Sequence, residues 1–558
     1  MDKSILENLL SKIYTNDIDF LMEKIQILLS KYENIIQVKE QKLTHKDCIL
    51  ITYADAIYEE DHKPLNTLKT FYDTYLKDKI SAIHLLPCFP YTSDDGFSVV
   101  DYYQINPDYG DWKSIASLNE SADLMFDAVI NHMSKSSVWF HKFMEEESPF
   151  DTYFITSDPA EDHSKVVRPR ALPLLHKYNK NGKEFFLWTT FSEDQVDLNF
   201  RSPYVFLQVL DILLFYISKG SRFIRLDAIA FLWKEKGTSC IHLPETHQII
   251  QAYRKIIESL APEVILITET NVPHLENISY FGDGSNEAHM VYNFTLPPLL
   301  AYSVHQQDIS TFVNWAKTLD LANDTNCFFN FTASHDGIGI RPLQGIISDN
   351  EIALLAEKTI EHGGYVSYKD NGDGSSSPYE LNCNYFELLS HPNEPINIRI
   401  DKFILTQAIM LSMPGVPGIY YHSILGSLNF RKGVEESGIN RRINREKLAF
   451  PDLVSEITNA QSLRHQVYER YIKLLELRAK EPSFNPYGKA RFSEIGKALV
   501  IERSYDQDCL ICIFNLSEHH LNVKLPVQKG YELVHNKRYQ NTSIDLNPWG
   551  FKWIKIDS

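Results

Sequence analysis

The chain has 558 residues, 44% of them hydrophobic and 23% charged, which is too long for one ordinary domain and too apolar for a disordered protein. Its formal net charge of −18 argues against nucleic acid and anionic membranes as partners, because both attract cationic surfaces. The 7 Cys residues are odd in number and mostly far apart, and no apolar run has the length of a membrane span or the pattern of a signal peptide, so we expect a reduced, cytoplasmic protein.

The predicted elements begin with two helices and continue as an alternation of strands and helices. Residues 1–47 carry apolar side chains at three- and four-residue spacing, which predicts a helical N-terminal extension. Eight short apolar runs follow, separated mostly by longer helical stretches, at residues 48–55, 81–87, 124–132, 221–230, 263–271, 289–294, 326–336 and 416–421. They predict an α/β fold with a closed (β/α)₈ TIM barrel over residues 48–132 and 201–480. A Rossmann-like open sheet is the alternative, but the glycine-rich phosphate loop that it needs after an early strand is missing.

Two long intervals interrupt the alternation, and a different pattern follows it. Residues 133–200 predict an inserted subdomain after the third strand, and residues 337–400 predict a long loop region after the seventh, which includes the run KDNGDGSSSPYE. In a barrel such connections lie over the C-terminal face, where active sites are found. Residues 481–558 alternate apolar and polar side chains, which predicts a C-terminal antiparallel β domain.

Acidic residues stand at the ends of three predicted strands. Asp227 ends the fourth, Glu269 the fifth and Asp336 the seventh. Because side chains alternate along a strand, Arg225 and Asp227 share one face, and if these faces point into the barrel the three acids meet at its mouth. Any one of them alone is as well explained by an ordinary cap or salt bridge, but the set at matching positions favours a catalytic centre.

The chemistry that fits clustered carboxylates is glycoside cleavage with retention. Buried carboxylates repel one another, so at least one keeps its proton near neutral pH. In a retaining enzyme one carboxylate attacks the anomeric carbon while one carboxylic acid protonates the leaving oxygen. A metal site is the rival interpretation, but HxxE and HxH spacings are missing at these strand ends, so no metal is predicted.

The motifs DAVINH, RLDAIA, ITETN and ASHDG resemble, in this order, the four strand-end motifs of the α-amylase superfamily (glycoside hydrolase family 13) of retaining glycosidases and transglucosidases. The resemblance implies that Asp227 is the nucleophile, Glu269 the general acid/base and Asp336 the residue that binds sugar hydroxyls and stabilises the transition state. It also implies that Arg225, His132 and His335 line the glucose subsite. Asp127 would support Arg225.

Other segments, among them SDDGFSVVDY, RPRALPLL and INRRINREKL, are similar to the sucrose phosphorylase branch, which transfers glucose to and from inorganic phosphate. This implies that Asp94 and Arg441 also grip the glucose. The N-terminal extension, the length and the run SPYELNCNYFELL resemble glucosylglycerate phosphorylases, which implies reversible phosphorolysis of 2-O-α-D-glucosyl-D-glycerate to α-D-glucose 1-phosphate and D-glycerate. Tyr379, Glu380 and Asn382, in the long loop region, are expected to face the acceptor.

The expected partners are small-molecule substrates, with phosphate as a substrate and no cofactor, while the choice between monomer and homodimer stays open. His84 lies inside a strand and is expected to be a core histidine.

Three kinds of alternative function stay open. The enzyme could be a sucrose, sucrose 6-phosphate or glucosylglycerol phosphorylase, it could be an α-glucosidase, or the chain could be a non-catalytic sugar-binding relative. Basic residues that could attract an anion to the mouth are Arg168, Arg170, Lys234, Lys236, Arg441, Arg442 and Arg445.

Overall fold

The structure is a computed structural model. The residues that it describes are 3–37, 42–170, 172–180, 182–319, 321, 323, 325–370, 375–524, 529–539 and 543–557. Residues 371–374 of the predicted long loop region and residues 1, 2 and 38–41 of the predicted extension lie outside this part of the chain. No helix of the described residues combines the length and the apolar character that crossing a bilayer requires.

Eight parallel strands form a closed barrel. In chain order they are β1 (Ile49–Thr52), β2 (Ala82–Leu85), β3 (Asp123–Ala128), β4 (Ser221–Leu226), β5 (Ile265–Thr268), β6 (Met290–Tyr292), β7 (Cys327–Phe331) and β8 (Val416–Tyr420). Each strand pairs with the next, and the first pairs with the last, with Leu50 opposite both Ile83 and Ile419. The predicted barrel is confirmed, and its closure excludes the open Rossmann-like sheet.

Helices cover the outside of the barrel, so the strands are buried on both faces and consist mostly of apolar residues. The helices of the barrel layer are Pro64–Phe71, Trp112–Asn119, Pro203–Ser218, Pro244–Glu258, His274–Ile278, Leu296–Gln306, Ser310–Ala316, Ile396–Ser412 and Leu463–Arg478. Pro203 and Pro244 occupy the first helical position, where the missing N–H costs nothing and the fixed φ angle favours the helix.

The N-terminal extension contains the helices Lys3–Ser11 and Ile18–Tyr32. Their apolar residues at i and i+4, Leu6 with Leu10 and Leu21 with Ile25, are fully buried. The first helix packs against Pro244–Glu258 and the second against Pro203–Ser218, on the outside of the barrel. The Tyr14 hydroxyl donates a hydrogen bond of 2.7 Å to the Phe200 carbonyl oxygen and so ties the turn between the two helices to the barrel.

Both long intervals contain regular structure above the C-terminal ends of the strands. The insert after β3 has a helix, Val138–Met144, and four strands that form two antiparallel pairs: His132–Ser134 with Gln195–Asp197, and Leu175–Lys180 with Lys183–Trp188. The region after β7, predicted as a loop, contains the helices Asp349–Glu361 and Tyr385–Leu388 and the antiparallel strands Ile338–Gly339, Tyr365–Asp370 and Ser376–Asn382. These strands are short or interrupted by Gly and Ser, which weakens their pattern in the sequence.

The predicted C-terminal antiparallel β structure is confirmed. Its larger sheet has six strands in the order Lys489–Ile495, Ala498–Tyr505, Asp508–Phe514, Phe551–Ile556, Gly530–Glu532 and Lys537–Tyr539. A two-stranded sheet pairs Leu521–Lys524 with Ser543–Leu546. Two buried arginines join this part to the barrel. Arg503 donates to the carbonyl oxygens of Ser412 and Met413, just before β8, at 2.9 and 2.7 Å.

The second of these arginines, Arg478, ends the last barrel helix and is 2% exposed. Its guanidinium donates to backbone carbonyl oxygens from three parts of the chain: His45 and Asp47 before β1, Leu411 and Gly415 before β8, and Phe484. A buried carbonyl oxygen without a hydrogen-bond donor destabilises the fold. Arg478 supplies donors to carbonyl oxygens that precede β1 and β8, where the first and last strands of the barrel meet.

We expect the substitution Arg478→Met to lower the free energy of unfolding by about 3 kcal/mol or more, because it leaves several buried carbonyl oxygens without a donor. Denaturant unfolding followed by circular dichroism measures this change. The matched control is Arg470→Met in the same helix, where an exposed arginine pairs with Asp401 and the expected loss is below about 1 kcal/mol. Equal effects of the two substitutions would contradict this role of Arg478.

Candidate active site

A narrow cavity of about 100 Å³ opens at the C-terminal ends of the barrel strands, and it contains every predicted site residue except Asn382. The predicted residues that line it are Asp94, His132, Arg225, Asp227, Glu269, His335, Asp336, Tyr379, Glu380 and Arg441. A larger cavity of about 890 Å³ lies between helix Ser310–Ala316 and the C-terminal sheet. Its described lining residues include no carboxylate, so among them there is no Asp or Glu pair for glycoside chemistry.

The Arg225 guanidinium lies at the centre of the carboxylate cluster and is 2% exposed. Arg225 on β4 stands opposite Asp127 on β3 in the strand register, and Nη1 donates to that carboxylate. The same nitrogen donates to Asp227 Oδ1 at 2.6 Å, and Nη2 lies 3.7 Å from Glu269 Oε2. The predicted meeting of Asp227 and Glu269 is therefore observed, around one cation.

A further layer holds Asp127 in place. His84 Nε2 on β2 donates to Asp127 Oδ2 at 2.6 Å, and both side chains are buried. His84 was expected to be a core histidine, and it is buried as expected. Its contact, however, connects it to the cluster, because it orients the carboxylate that in turn orients Arg225.

Glu269 is held differently from Asp227. Its Oε2 accepts a hydrogen bond of 2.9 Å from the Ala228 backbone N–H. Ala228 follows Asp227 and has a left-handed φ of +48°, a conformation that costs energy for a residue with a Cβ atom. This strained turn brings the backbone N–H after the fourth strand to the carboxyl group after the fifth.

Burial raises the pKa of both Asp227 and Glu269, and their mutual repulsion adds to the rise for Asp227, whereas Arg225 lowers the pKa of each. Two such carboxyls hold one proton between them more readily than they ionise together. The short ion pair with Arg225 favours the charge on Asp227. Glu269, farther from the guanidinium and close enough to Asp336 for that charge to raise its pKa, is the better place for the proton.

Asp336 lies in a second ion-pair group within the cavity. Arg441 Nη1 donates to Asp336 Oδ1 at 2.5 Å, and its Nε and Nη2 donate to the two oxygens of Glu380 at 3.1 and 2.7 Å. Burial alone would raise the pKa of Asp336, but Arg441 above all, with Arg445, holds it well below its usual range. Asp336 therefore stays ionised at the pH values at which Glu269 keeps its proton.

Asp94 forms a third charged contact in the cavity, with Arg170 from the insert, whose Nη2 donates to Asp94 Oδ2 at 2.9 Å. Nearby, His132 Nε2 donates to the Phe97 carbonyl oxygen at 3.0 Å, and His335 stacks on the Phe97 ring with a centroid distance of 4.7 Å. Burial lowers the pKa of His132 to about 4 and that of His335 to about 3. Both imidazoles are therefore neutral at physiological pH and suit contacts with sugar hydroxyls.

The expectation that Asn382 faces the acceptor is wrong. Its side chain is fully buried and donates to Ser367 Oγ at 2.9 Å and to the Glu380 carbonyl oxygen at 3.3 Å. A Cβ atom on Gly337 would clash with both Glu380 and Asn382, so the close approach of this glycine covers Asn382 while Glu380 still reaches the cavity. Asn382 therefore belongs to the support beneath Glu380.

Of the basic residues predicted to attract an anion, only Arg170 and Arg441 line the cavity among the described residues. Lys234 is buried and lies 2.5 Å from Asp197, and Lys236 is exposed beside Glu161. Arg168 contacts the Leu172 carbonyl oxygen. Arg442 and Arg445 each contact Asp95 at 2.6 Å. These five side chains are not among the described residues that line the cavity, although Arg445 also lies 3.9 Å from Asp336. No pattern in the sequence shows this.

Several lining residues were not predicted from the sequence: Gln195, Phe191, Asn271 and Arg341. Two of these residues could have been predicted from their closeness in sequence to the catalytic acids. Asn271 is two residues after Glu269, and Arg341 is five residues after Asp336. Within the described ranges, no group of three or more His, Cys, Asp or Glu side chains has an arrangement that could hold a metal ion.

Comparison with known proteins places this site in a family. Residues 73–341 match the family model described as the alpha amylase catalytic domain. The chain is 43% identical to the glucosylglycerate phosphorylase of Escherichia coli over 99% of this chain and 100% of that protein. It is 46% identical to the glucosylglycerate phosphorylase of Spirochaeta thermophila over 85% of this chain and 81% of that protein.

Among solved structures, the sucrose 6F-phosphate phosphorylase from Thermoanaerobacter thermosaccharolyticum shares the fold, with a TM-score of 0.75 at 22% identity, covering 90% of this chain and 98% of that one. A sucrose phosphorylase from Streptococcus mutans is 26% identical over 82% of this chain and 92% of that protein, which is a more distant match than the two glucosylglycerate phosphorylases. The chain therefore belongs to the glucosylglycerate phosphorylase family, built on an α-amylase-type catalytic barrel.

Proposed function

We propose that the chain catalyses the reversible phosphorolysis of 2-O-α-D-glucosyl-D-glycerate to α-D-glucose 1-phosphate and D-glycerate, with retention of configuration. The observation that carries the proposal is the placement of Asp227 and Glu269 around the Arg225 guanidinium, in a chain 43% identical to a glucosylglycerate phosphorylase over its full length. Inorganic phosphate is a substrate in this reaction, and the proposed chemistry needs no cofactor.

In the first half-reaction Glu269 donates its proton to the bridging oxygen and Asp227 attacks the anomeric carbon. D-glycerate leaves, and a β-glucosyl ester on Asp227 remains. Arg225 keeps Asp227 ionised and aimed until the ester forms. Asp336, whose low pKa keeps it negative, stabilises the positive charge that develops on the sugar ring.

In the second half-reaction phosphate enters the emptied acceptor position and attacks the same carbon, and the second inversion restores the α configuration. Phosphate is already an anion, so little proton removal by Glu269 is required. An anion must nevertheless approach a cavity lined by five carboxylates: Asp94, Asp227, Glu269, Asp336 and Glu380. Arginines at the cavity lower this electrostatic barrier, which favours phosphate over neutral water as the acceptor.

Incubation with α-D-glucose 1-phosphate and a panel of acceptors tests the specificity directly. The panel contains D-glycerate, fructose, fructose 6-phosphate and glycerol, and the readout is phosphate release. We expect D-glycerate to give the highest kcat/KM. Preferred use of fructose, fructose 6-phosphate or glycerol would replace the proposed acceptor, and release of free glucose without an acceptor would indicate an α-glucosidase.

We expect Asp227→Asn to lower the phosphorolysis of glucosylglycerate by on the order of 10⁴-fold or more, because no ester can form. Glu269→Gln should cause a loss of similar size with this substrate. α-Glucosyl fluoride separates the roles, since fluoride leaves without a proton. Fluoride release should persist as a burst or as steady turnover in Glu269→Gln and vanish in Asp227→Asn. The opposite pattern would exchange the two assignments.

The pH dependence of kcat/KM for glucosylglycerate should report the proton on Glu269. Burial raises the pKa of Glu269, so the protonated form persists to higher pH than for an exposed glutamate, and activity falls only as the pH rises through that raised value. The same profile measured with α-glucosyl fluoride should lack this basic limb. An identical basic limb for both substrates would assign the fall to another group.

A further inference from the structure

Four arginines line the cavity, and they differ in how their guanidinium groups are engaged. Arg225, Arg441 and Arg170 each donate to a carboxylate that also lines the cavity, at 2.6, 2.5 and 2.9 Å. Among the described residues, no such partner contacts Arg341. Its nearest described carboxylate is Glu276, 3.7 Å away, which is 44% exposed and does not line the cavity.

The donors of Arg341 are accordingly available. No described residue accepts a hydrogen bond from its guanidinium, and the side chain remains 24% exposed. Glu276 is shared, since it also lies 3.1 Å from His242 Nε2. An arginine has five N–H donors in a fixed fork that matches a carboxylate or a phosphate group. Arg341, whose one described ion pair is the loose contact with Glu276, is therefore suited to an anionic ligand at the cavity.

The backbone places Arg341 on the Glu269 side of the cavity. Asn271, two residues after Glu269, packs so closely on Gly339 that a Cβ atom there would clash with its amide. Gly339 lies in the short strand Ile338–Gly339, which pairs with Ser376–Asn382, and Arg341 begins the turn that follows. The Ile340 N–H also donates to the Tyr379 carbonyl oxygen at 3.2 Å and fixes this turn.

The acceptor occupies the Glu269 side, because Glu269 must reach the oxygen that joins the glucose to its acceptor. D-glycerate carries a carboxylate next to the carbon that bears this oxygen, and phosphate carries anionic oxygens on the atom that bears it. In both acceptors the negative charge thus lies a short distance beyond Glu269. Arg225 is buried at the base of the cluster, where its Nη1 already donates to Asp127 and Asp227, so it is poorly placed to bind this charge.

We propose that Arg341 binds the anionic group of the acceptor, the carboxylate of D-glycerate or an oxygen of phosphate, and thereby contributes to the selection of anionic over neutral acceptors. The proposal rests on the proposed function for the identity of the carboxylate. Arg341 acts in binding, since the bonds that break and form are served by Asp227 and Glu269.

The test loads the enzyme with α-glucosyl fluoride and measures the KM of each acceptor for Arg341→Gln and the parent enzyme. The acceptors are D-glycerate, phosphate and, as a neutral comparison, glycerol. Loss of a charge-assisted hydrogen bond should raise KM for at least one of the two anions about 10- to 100-fold. The KM of glycerol and the hydrolysis of α-glucosyl fluoride without an acceptor should change less than about twofold, because neither involves this charge.

Two further variants separate anion binding from a structural role. Glu276→Gln removes the same ion pair from the other side, so a structural role predicts equal losses for Arg341→Gln and Glu276→Gln, whereas anion binding predicts a loss only for Arg341→Gln. Arg341→Lys keeps a point charge without the fork and should recover part of the KM change.

The outcomes are distinct. A KM rise confined to D-glycerate or to phosphate assigns Arg341 to that anion, and a rise for both assigns it to the shared position. Unchanged KM values for both anions, an equal rise for glycerol, or an equal effect of Glu276→Gln would overturn the proposal. If the parent enzyme does not use D-glycerate, the proposed function fails while the phosphate measurement still tests Arg341.

Discussion

The buried guanidinium of Arg225 and the carboxylates around it constrain the rest of the site. A cation at 2% exposure is costly without close partners, and here Asp127 and Asp227 provide counter-charges from β3 and from the end of β4. The rings of Phe97 and Tyr292 flank the guanidinium at 5.7 and 5.4 Å. The register between β3 and β4 places Asp127 opposite Arg225. Because Asp127 holds Arg225, and Arg225 donates to Asp227, this register also orients the nucleophile Asp227.

The same logic organises the other charges of the cavity. Arg441 connects Asp336 to Glu380, and Arg170 reaches from the insert to Asp94. These pairs join the long connections after β3 and β7 to the barrel, so the groups expected to contact glucose are held by one another before a substrate arrives. Such preorganisation is what makes electrostatic stabilisation of a charged transition state effective, since little reorganisation is needed during the reaction.

The barrel and the main catalytic acids could be predicted from sequence, for two physical reasons. Strands covered on both faces are mostly apolar, which makes short runs such as ILIT at β1 visible, and the period of two fixes Arg225 and Asp227 on one face. The roles of Asp227 and Glu269 came from family resemblance. Asn382 was expected to face the acceptor because it lies in the long loop region, but a place in a loop does not show which neighbour covers a side chain; here Gly337 covers Asn382. Arg341 was missed because a charge in a turn reveals its partners only in three dimensions.

The pairing of β1 with β8 also affects how the chain folds. Leu50 meets Ile419 across almost the whole barrel sequence, and Arg478 then bonds to carbonyl groups just before β1. During synthesis the first strand leaves the ribosome long before its last neighbour exists, so one edge of the nascent sheet stays unpaired. Contacts of such high sequence separation slow folding. The barrel therefore closes after Asp227, Glu269 and Asp336 have been made, and Arg441, which pairs with Asp336, follows β8 in the chain.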